Sequence, residues 1–370
     1  MRKVLILEPY FGGSHKMFLE GVMDNVHADY TLLTLPARKW KMRMQLSAQW
    51  FMEQLSNLGC DERCFDTVIC STFVDVAVFR SLTCRLEGWN NSAKICLYFH
   101  ENQFAYPNRT KDTSLYHFTS INFNSAMAAD SIAFNSEFNR SSFMDGCSRY
   151  LKFASDMKLS RIIDDLKGKS VVIYPGIEFS GIDAVASDDT LSAPTIVWNH
   201  RWEHDKNPEE FFFALQSLKK QKMQFHLIVL GQSFRQSPDC FERAKEEFSD
   251  EIIHFGFAES YERYIEQLVK GTIVVSTSTH EFYGISIIEA VRAGCRPLLP
   301  KRLSYPELFP QKYLYEDGDL FPQLKQLVAR NKQLEKGTAI ELTEQFGWSA
   351  LTASYNDWLF SHCKKITWPE

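Results

Sequence analysis

Short apolar runs rich in β-branched residues recur along this chain at 4–7, 30–35, 67–71, 94–99, 131–134 and 171–174, and again at 195–198, 225–230, 252–255, 272–277 and 297–299. Several are followed by a loop and then by apolar residues at helical spacing, as in 16 onward, 45–60, 114–129 and 259–270. Continuous apolar strands interleaved with helices belong to parallel sheets covered on both faces, so the expected class is α/β. The pattern breaks once. Residues 180–194 are small, polar and acidic without periodicity, which marks a linker between two successive α/β halves. The expected domains are therefore 1–180 and 194–345. A terminal segment, 346–370, puts Trp348, Leu351, Tyr355, Trp358 and Leu359 on one helical face that must dock, and the first half is the expected partner.

A length of 370 residues accommodates two domains with ample core. The net charge of −5 excludes a global basic field, so any nucleic-acid contact must use a local patch. Nine scattered cysteines form no Cys-x-x-Cys pair, and Cys60 and Cys64 alone make a poor metal half-site. Reduced thiols and a cytoplasmic location are expected. The N-terminal apolar run ends at Glu8, too early for a signal peptide, and no run approaches the length of a membrane span.

The stretch 272–297 carries the clearest site signal. A buried strand leads through a loop with Gly284 into a helix starting near Ile285, which stops at Gly294 with Pro297 beyond. A helix start at a strand's carboxyl end favours a phosphate. Glu281 and Glu289 bracket the turn and suit a ligand that carries hydroxyl groups as well.

The first half holds further candidates. Gly12 and Gly13, after the first strand, let backbone N–H groups approach an anion, or form a plain loop; the spacing is not G-x-G-x-x-G. Arg38, Lys39, Lys41 and Arg43 with Trp40 form the densest basic-aromatic cluster, suited to a phosphate backbone and a stacked base, or to a solvated helix start. His100, Glu101, Asn102 and Gln103 stand at a strand's carboxyl end, where reactive groups sit in this architecture. Asp317-Gly-Asp319 formally matches a metal-holding Asp-x-Asp, but its setting reads as a surface turn, and no metal site is expected.

Two α/β halves, a Gly-Gly turn after the first strand and the pattern Glu281-Phe-Tyr-Gly-Ile-(x3)-Glu289-Ala-(x3)-Gly294-(x2)-Pro297 together resemble the GT-B glycosyltransferases, and within them the retaining family 4. The resemblance implies two Rossmann-like domains facing across a cleft, with a C-terminal helix crossing back onto the first. It implies that Glu281 sits against the donor hexose and Glu289 on the nucleotide ribose, and that Arg201 and Lys206 hold the diphosphate. Gly12, Gly13, Gly284 and Ile285 join this donor set. His100 matches the family's active-site histidine.

The segments Glu8-Pro-Tyr-Phe-Gly-Gly-Ser-His15, Leu35-Pro-Ala-Arg-Lys-Trp40, Tyr98-Phe-His-Glu-Asn-Gln103, Phe134-Asn-Ser-Glu-Phe-Asn139 and His200-Arg-Trp-Glu-His-Asp-Lys206 resemble more narrowly the tRNA-queuosine α-mannosyltransferase group. That implies transfer of mannose from GDP-mannose, with retention and without a metal or other cofactor, to the cyclopentenediol of queuosine in a tRNA anticodon, tRNA-Asp being expected. His15, Glu101, Asn102, Gln103 and the basic segment from Arg38 to Arg43 then fall on the acceptor side. The alternatives are a family 4 enzyme using another nucleotide sugar on a lipid or surface glycan, and a non-catalytic or epimerase-type relative.

Overall fold

The computed structural model describes residues 1–106, 115–154, 156–157, 159, 161–185, 193–234 and 237–361. The chain divides into two compact units, Met1–Gly176 with Trp348–Glu370, and Ile177–Gly347. Each is built on one six-stranded sheet.

In the first unit the strands are β1 (Lys3–Phe11), β2 (Asp29–Pro36), β3 (Thr67–Ser71), β4 (Lys94–Phe99), β5 (Ser131–Phe134) and β6 (Ser170–Val172), in the order β2-β1-β3-β4-β5-β6. All pairings are parallel. One face packs residues such as Leu5, Leu7, Leu97 and Phe134 against helices that bring Phe51, Phe79 and Phe143. The other packs Val4, Ile6, Cys96 and Tyr98.

That second face is completed by the C-terminal helix, Trp348–Phe360, whose Trp348, Leu351, Tyr355, Trp358 and Leu359 are all buried there. Trp348 explains two glycines: a Cβ at Gly21 would lie 2.3 Å from its ring, and one at Gly176 also 2.3 Å. Trp348→Ala should cost about 3–5 kcal/mol in denaturant unfolding. Gly21→Ala should destabilise the parent by about 1–3 kcal/mol through overpacking. The same change should be close to neutral in the Trp348→Ala background, and additive effects in that cycle would contradict the close packing of the two residues.

The second unit has β7 (Thr195–Asn199), β8 (His226–Leu230), β9 (Ile252–Gly256), β10 (Ile273–Val275), β11 (Arg296–Pro300) and β12 (Leu314–Tyr315), all parallel, in the order β12-β11-β10-β7-β8-β9. Its core is aromatic, with Trp198, Trp202, Phe211, Phe212 and Phe241 in contact.

Residues 177–183 differ from the sequence reading, which ended the first domain at 180 and began a linker there. They pack within the second unit: Ile177 pairs with Gly347, Ile182 is buried, and Asp183 forms a bidentate ion pair with Arg292. Too few apolar residues to show a periodicity masked this, because the burial rests on Ile177, Phe179 and Ile182 with the ion pair. Residues 186–192 of the expected linker lie outside the described residues. Among the described residues no helix is long and apolar enough to cross a membrane.

Candidate functional site

In the second unit the candidate residues gather at the carboxyl ends of β7 and β10, where ligands bind in open α/β sheets. Chain 200–207 turns back under the loop after β10. Thr277 Oγ1 donates to the Lys206 carbonyl at 2.8 Å, and Thr279 N–H donates to the Asp205 carbonyl at 2.8 Å. Arg302 braces the other side of that loop by donating to the carbonyls of Thr277 and Ser278.

Lys206 is buried at the centre. Its Nζ donates to the His280 carbonyl at 2.7 Å and lies 3.2 Å from Glu281 Oε2 and 3.3 Å from Asp205 Oδ2. Burial works to protonate Glu281, but the Lys206 charge and hydrogen bond, with His200 and the Tyr283 N–H, outweigh it and pull the carboxyl down to about 2. Glu281 is therefore a fixed anion. Around it burial and the Lys206 charge keep two histidines neutral, His200 pushed down to about 3 and His280 to about 4. Arg201 is exposed and pairs with Glu203 at 3.3 Å, on the rim rather than in the buried set.

Gly284 has φ 107°, a left-handed turn that glycine adopts without strain, and it releases the chain into the helix Ile285–Arg292. Among the described residues no side chain caps this helix start. The helix closes as the sequence indicated: Gly294 N–H donates to Val291 O and Cys295 N–H to Ala290 O, a Schellman turn with Gly294 at φ 103°.

Glu289, one turn into the helix, is buried, and its two oxygens accept hydrogen bonds from Tyr261 at 2.8 Å and Tyr264 at 3.0 Å. Asn199 Nδ2 donates to Tyr264 at 3.2 Å and to the Ser286 carbonyl at 2.7 Å, tying the end of β7 to the pair. Burial pushes Glu289 up to about 7, despite the two phenols. The unit thus offers a buried cation, a fixed anion, an open helix start and a second carboxylate held between phenols. That set fits a ligand with phosphate and hydroxyl groups.

In the first unit the ends of β1, β3 and β4 bring together Glu8, His15 and His100. The helix carrying His15 begins at Gly13, three residues before the sequence indicated. Gly12 admits no side chain because a Cβ would meet that of Ala37 at 2.7 Å, and Gly13 takes a left-handed φ of 52°. Packing thus explains Gly12, and backbone conformation explains Gly13.

Two expectations for the acceptor set change. Asn102 is fully buried, its amide donating to Asn139 and Ser142 and its oxygen accepting from Ala105, so it braces the 100–105 turn with both N–H donors used. Gln103 is buried too, with its N–H on Asn122. Glu101 remains half-exposed beside His15 and adds to the charge acting on it.

The basic-aromatic segment is a helix start rather than a loop, since the helix Trp40–Ser56 opens inside it after Lys39 at a left-handed φ of 55°. Trp40 is half-buried against Phe73, Tyr106 and Phe118, at 6.4, 6.2 and 5.2 Å between ring centroids. Arg38, Lys39 and Lys41 are exposed, and Arg43 is half-buried. Asp317 pairs with Arg302, and Gly318 at φ 89° makes Asp317-Gly-Asp319 a turn.

Glu8, His200, Tyr261 and Tyr264 were missed as individual site residues. The signals existed: Glu8 is the one charge after four apolar residues in β1, and Tyr261 and Tyr264 lie three apart on one helix face. His200 carries a buried Nε2 without a hydrogen-bond partner among the described residues, a fact only coordinates reveal.

Comparison with known proteins matches residues 3–177 to the family described as tRNA-queuosine alpha-mannosyltransferase N-terminal, and residues 189–348 to Glycosyl transferases group 1. The tRNA-queuosine alpha-mannosyltransferase of Drosophila melanogaster is 32% identical over 327 residues, covering 85% of this chain and 84% of that one. Among solved structures, the sucrose-phosphate synthase of Thermosynechococcus elongatus superposes with a TM-score of 0.67 at 13% identity, covering 96% of this chain and 98% of that one. Anabaena HepE, solved with UDP and glucose, gives 0.63 at 13% identity with the same coverage. These two establish the GT-B fold alone. On the match along most of its length, the chain belongs to the tRNA-queuosine α-mannosyltransferase family and is a hexosyltransferase of GT-B fold.

Proposed function

We propose that this protein transfers mannose from GDP-mannose, with retention of configuration, to the cyclopentenediol of queuosine in a tRNA anticodon, tRNA-Asp being the expected acceptor. The observation that carries the reading is the match of residues 3–177 to the family described as tRNA-queuosine alpha-mannosyltransferase N-terminal, because that description names the acceptor. Lys206, Arg201 and the helix start at Ile285 supply positive charge to the diphosphate, so the reaction proceeds without a metal. Glu289 accepts hydrogen bonds from the ribose hydroxyls, and Glu281 from the hexose. As the glycosidic bond breaks, negative charge grows on the leaving phosphate, which deprotonates the incoming hydroxyl on the same face of an oxocarbenium-like sugar. A covalent glycosyl adduct on one of the enzyme's carboxylates would refute this course. The reaction belongs to a reducing, tRNA-containing compartment, the cytoplasm.

The test is incubation with queuosine-containing tRNA and a panel of nucleotide sugars, followed by mass spectrometry of the anticodon nucleoside. A hexose on queuosine only with GDP-mannose is expected. Free sugar alone, or binding to anionic vesicles with none to tRNA, would overturn the reading. The exposed Arg38, Lys39 and Lys41 should grip the anticodon backbone. Replacing all three with alanine should raise KM for tRNA about tenfold or more at moderate salt, and lower the salt slope of binding by roughly one for each phosphate no longer neutralised. GDP affinity should be unchanged.

A further inference from the structure

Three titratable side chains meet at the ends of β1, β3 and β4 that the donor-binding set does not use. The Glu8 carboxylate is 1% exposed. Its Oε1 accepts from the Tyr10 N–H at 2.8 Å and from Ser71 Oγ at 3.1 Å, and its Oε2 lies 3.1 Å from His15 Nδ1. A carboxylate with all its partners donating sets the tautomer: His15 gives Nδ1–H to Glu8 and keeps Nε2 as its remaining polar atom. The His15 ring lies against His100, with centroids 4.0 Å apart and planes at 31°. One Glu8 oxygen and one nitrogen from each ring lie within 4.8 Å of one another.

Burial works to discharge His15, but the charge and hydrogen bond of Glu8, with the charge of Glu101, outweigh it and hold the imidazole above its ordinary value. Burial and the His15 charge together hold His100 well below its own. The other neighbours are aromatic: Tyr10 and Phe73 on His15, Phe18 and Tyr98 on His100, with the Tyr98 hydroxyl donating to the Ile173 carbonyl.

Burying a carboxylate and an imidazole beside a half-buried second imidazole is costly, and a packing role alone would be met better by apolar side chains. Two rings tilted at 31° to each other, each offering a nitrogen to the same spot, match two neighbouring hydroxyls. One hydroxyl pairs with His15 Nε2, and the other with His100. We propose that Glu8 is a positioning residue that fixes the His15–His100 pair as a clamp for the vicinal diol of the acceptor. The proposal rests on the acceptor reading above.

The test uses Glu8→Gln in the full chain, checked for an unchanged unfolding midpoint. Transfer to queuosine-containing tRNA should lose roughly 10–100-fold in kcat/KM, the scale for removing a carboxylate behind a working histidine. KM for GDP-mannose, and affinity for the same tRNA lacking queuosine, should not change. By NMR, His15 should titrate above its ordinary value in the wild type and fall in the variant, while His100 rises. A folded variant at wild-type efficiency, or one that loses unmodified-tRNA binding equally, would overturn the clamp. So would loss of activity on chelation that a divalent ion restores, since the three atoms would then be ion ligands. If the variant does not fold, the wild type alone decides. Adding cis-cyclopentane-1,2-diol should move both histidine ring signals while cyclopentanol does not, and no difference between the two would overturn the clamp. That arm is independent of tRNA, so a wild type inactive on queuosine would count against the function reading only.

Discussion

Lys206→Met is expected to lower transfer by about 10²–10³-fold, the cost of removing one preorganised charge from a developing anion. Lys206 is the buried cation of the candidate site in the second unit, and methionine keeps much of its length and volume without the charge. The change acts twice. On the proposed reading it removes a donor from the leaving diphosphate, and it strips Glu281 and Asp205 of the ammonium 3.2 and 3.3 Å away. Breaking a buried pair by removing one partner costs about 3–5 kcal/mol, so denaturant unfolding must accompany the kinetics.

The acid limb supplies a second readout. Glu281 is depressed in the folded state, so its contribution to stability is fully present above its ordinary value near 4.5 and is lost as pH falls toward about 2. Without Lys206 the burial penalty on Glu281 is no longer outweighed, and acid unfolding should lose that contribution. Lys206→Arg restores the charge but not the compact shape that reaches the His280 carbonyl, and should recover stability more than activity. A folded Lys206→Met enzyme turning over at the wild-type rate would remove Lys206 from the diphosphate.

Much of this candidate site's local structure was legible in the sequence because it is built from local signals. The strand, the left-handed Gly284, the helix and its stop at Gly294 are set by residues close together in the chain, and the two carboxylates sit at fixed offsets within them. The doubled α/β organisation was legible for the same reason, since each apolar run is buried on its own terms. What could not be read is what distant segments bring to those positions. Tyr261 and Tyr264 reach Glu289 across 28 and 25 residues, and Ser71 reaches Glu8 across 63. Asn102 looked like a ligand-facing amide because polar residues at a strand end often are; Asn139, 37 residues on, consumes it. Trp40 looked like an open platform until Phe73 and Phe118 were placed against it.

Glu289→Gln should abolish a pH dependence that the wild type is expected to show in nucleotide binding. Burial lifts the Glu289 carboxyl to about 7, and the hydroxyls of Tyr261 and Tyr264 only partly restrain it. On the proposed reading the ribose diol donates two hydrogen bonds to this carboxylate, in place of those the phenols give it. Only the ionised form can accept both, so GDP binding selects it and releases a proton wherever the free enzyme is protonated. Affinity should then fall by up to about tenfold per pH unit below 7 and level off above it. The glutamine variant presents one oxygen and an amide, and should bind GDP more weakly with no such slope.

The tyrosines give an internal control on the same curve. Tyr261→Phe or Tyr264→Phe removes a donor that lowers the carboxyl, so each should move the midpoint to higher pH, where glutamine removes it altogether. Calorimetry in two buffers of different ionisation heat reads the proton release directly. A wild type with pH-independent GDP affinity between 6 and 8, or a glutamine variant that keeps the slope, would take Glu289 off the ribose. The slope would then have to come from another group. His200 and His280 are poor candidates, since their ordinary titration range has been pushed down to about 3 and about 4.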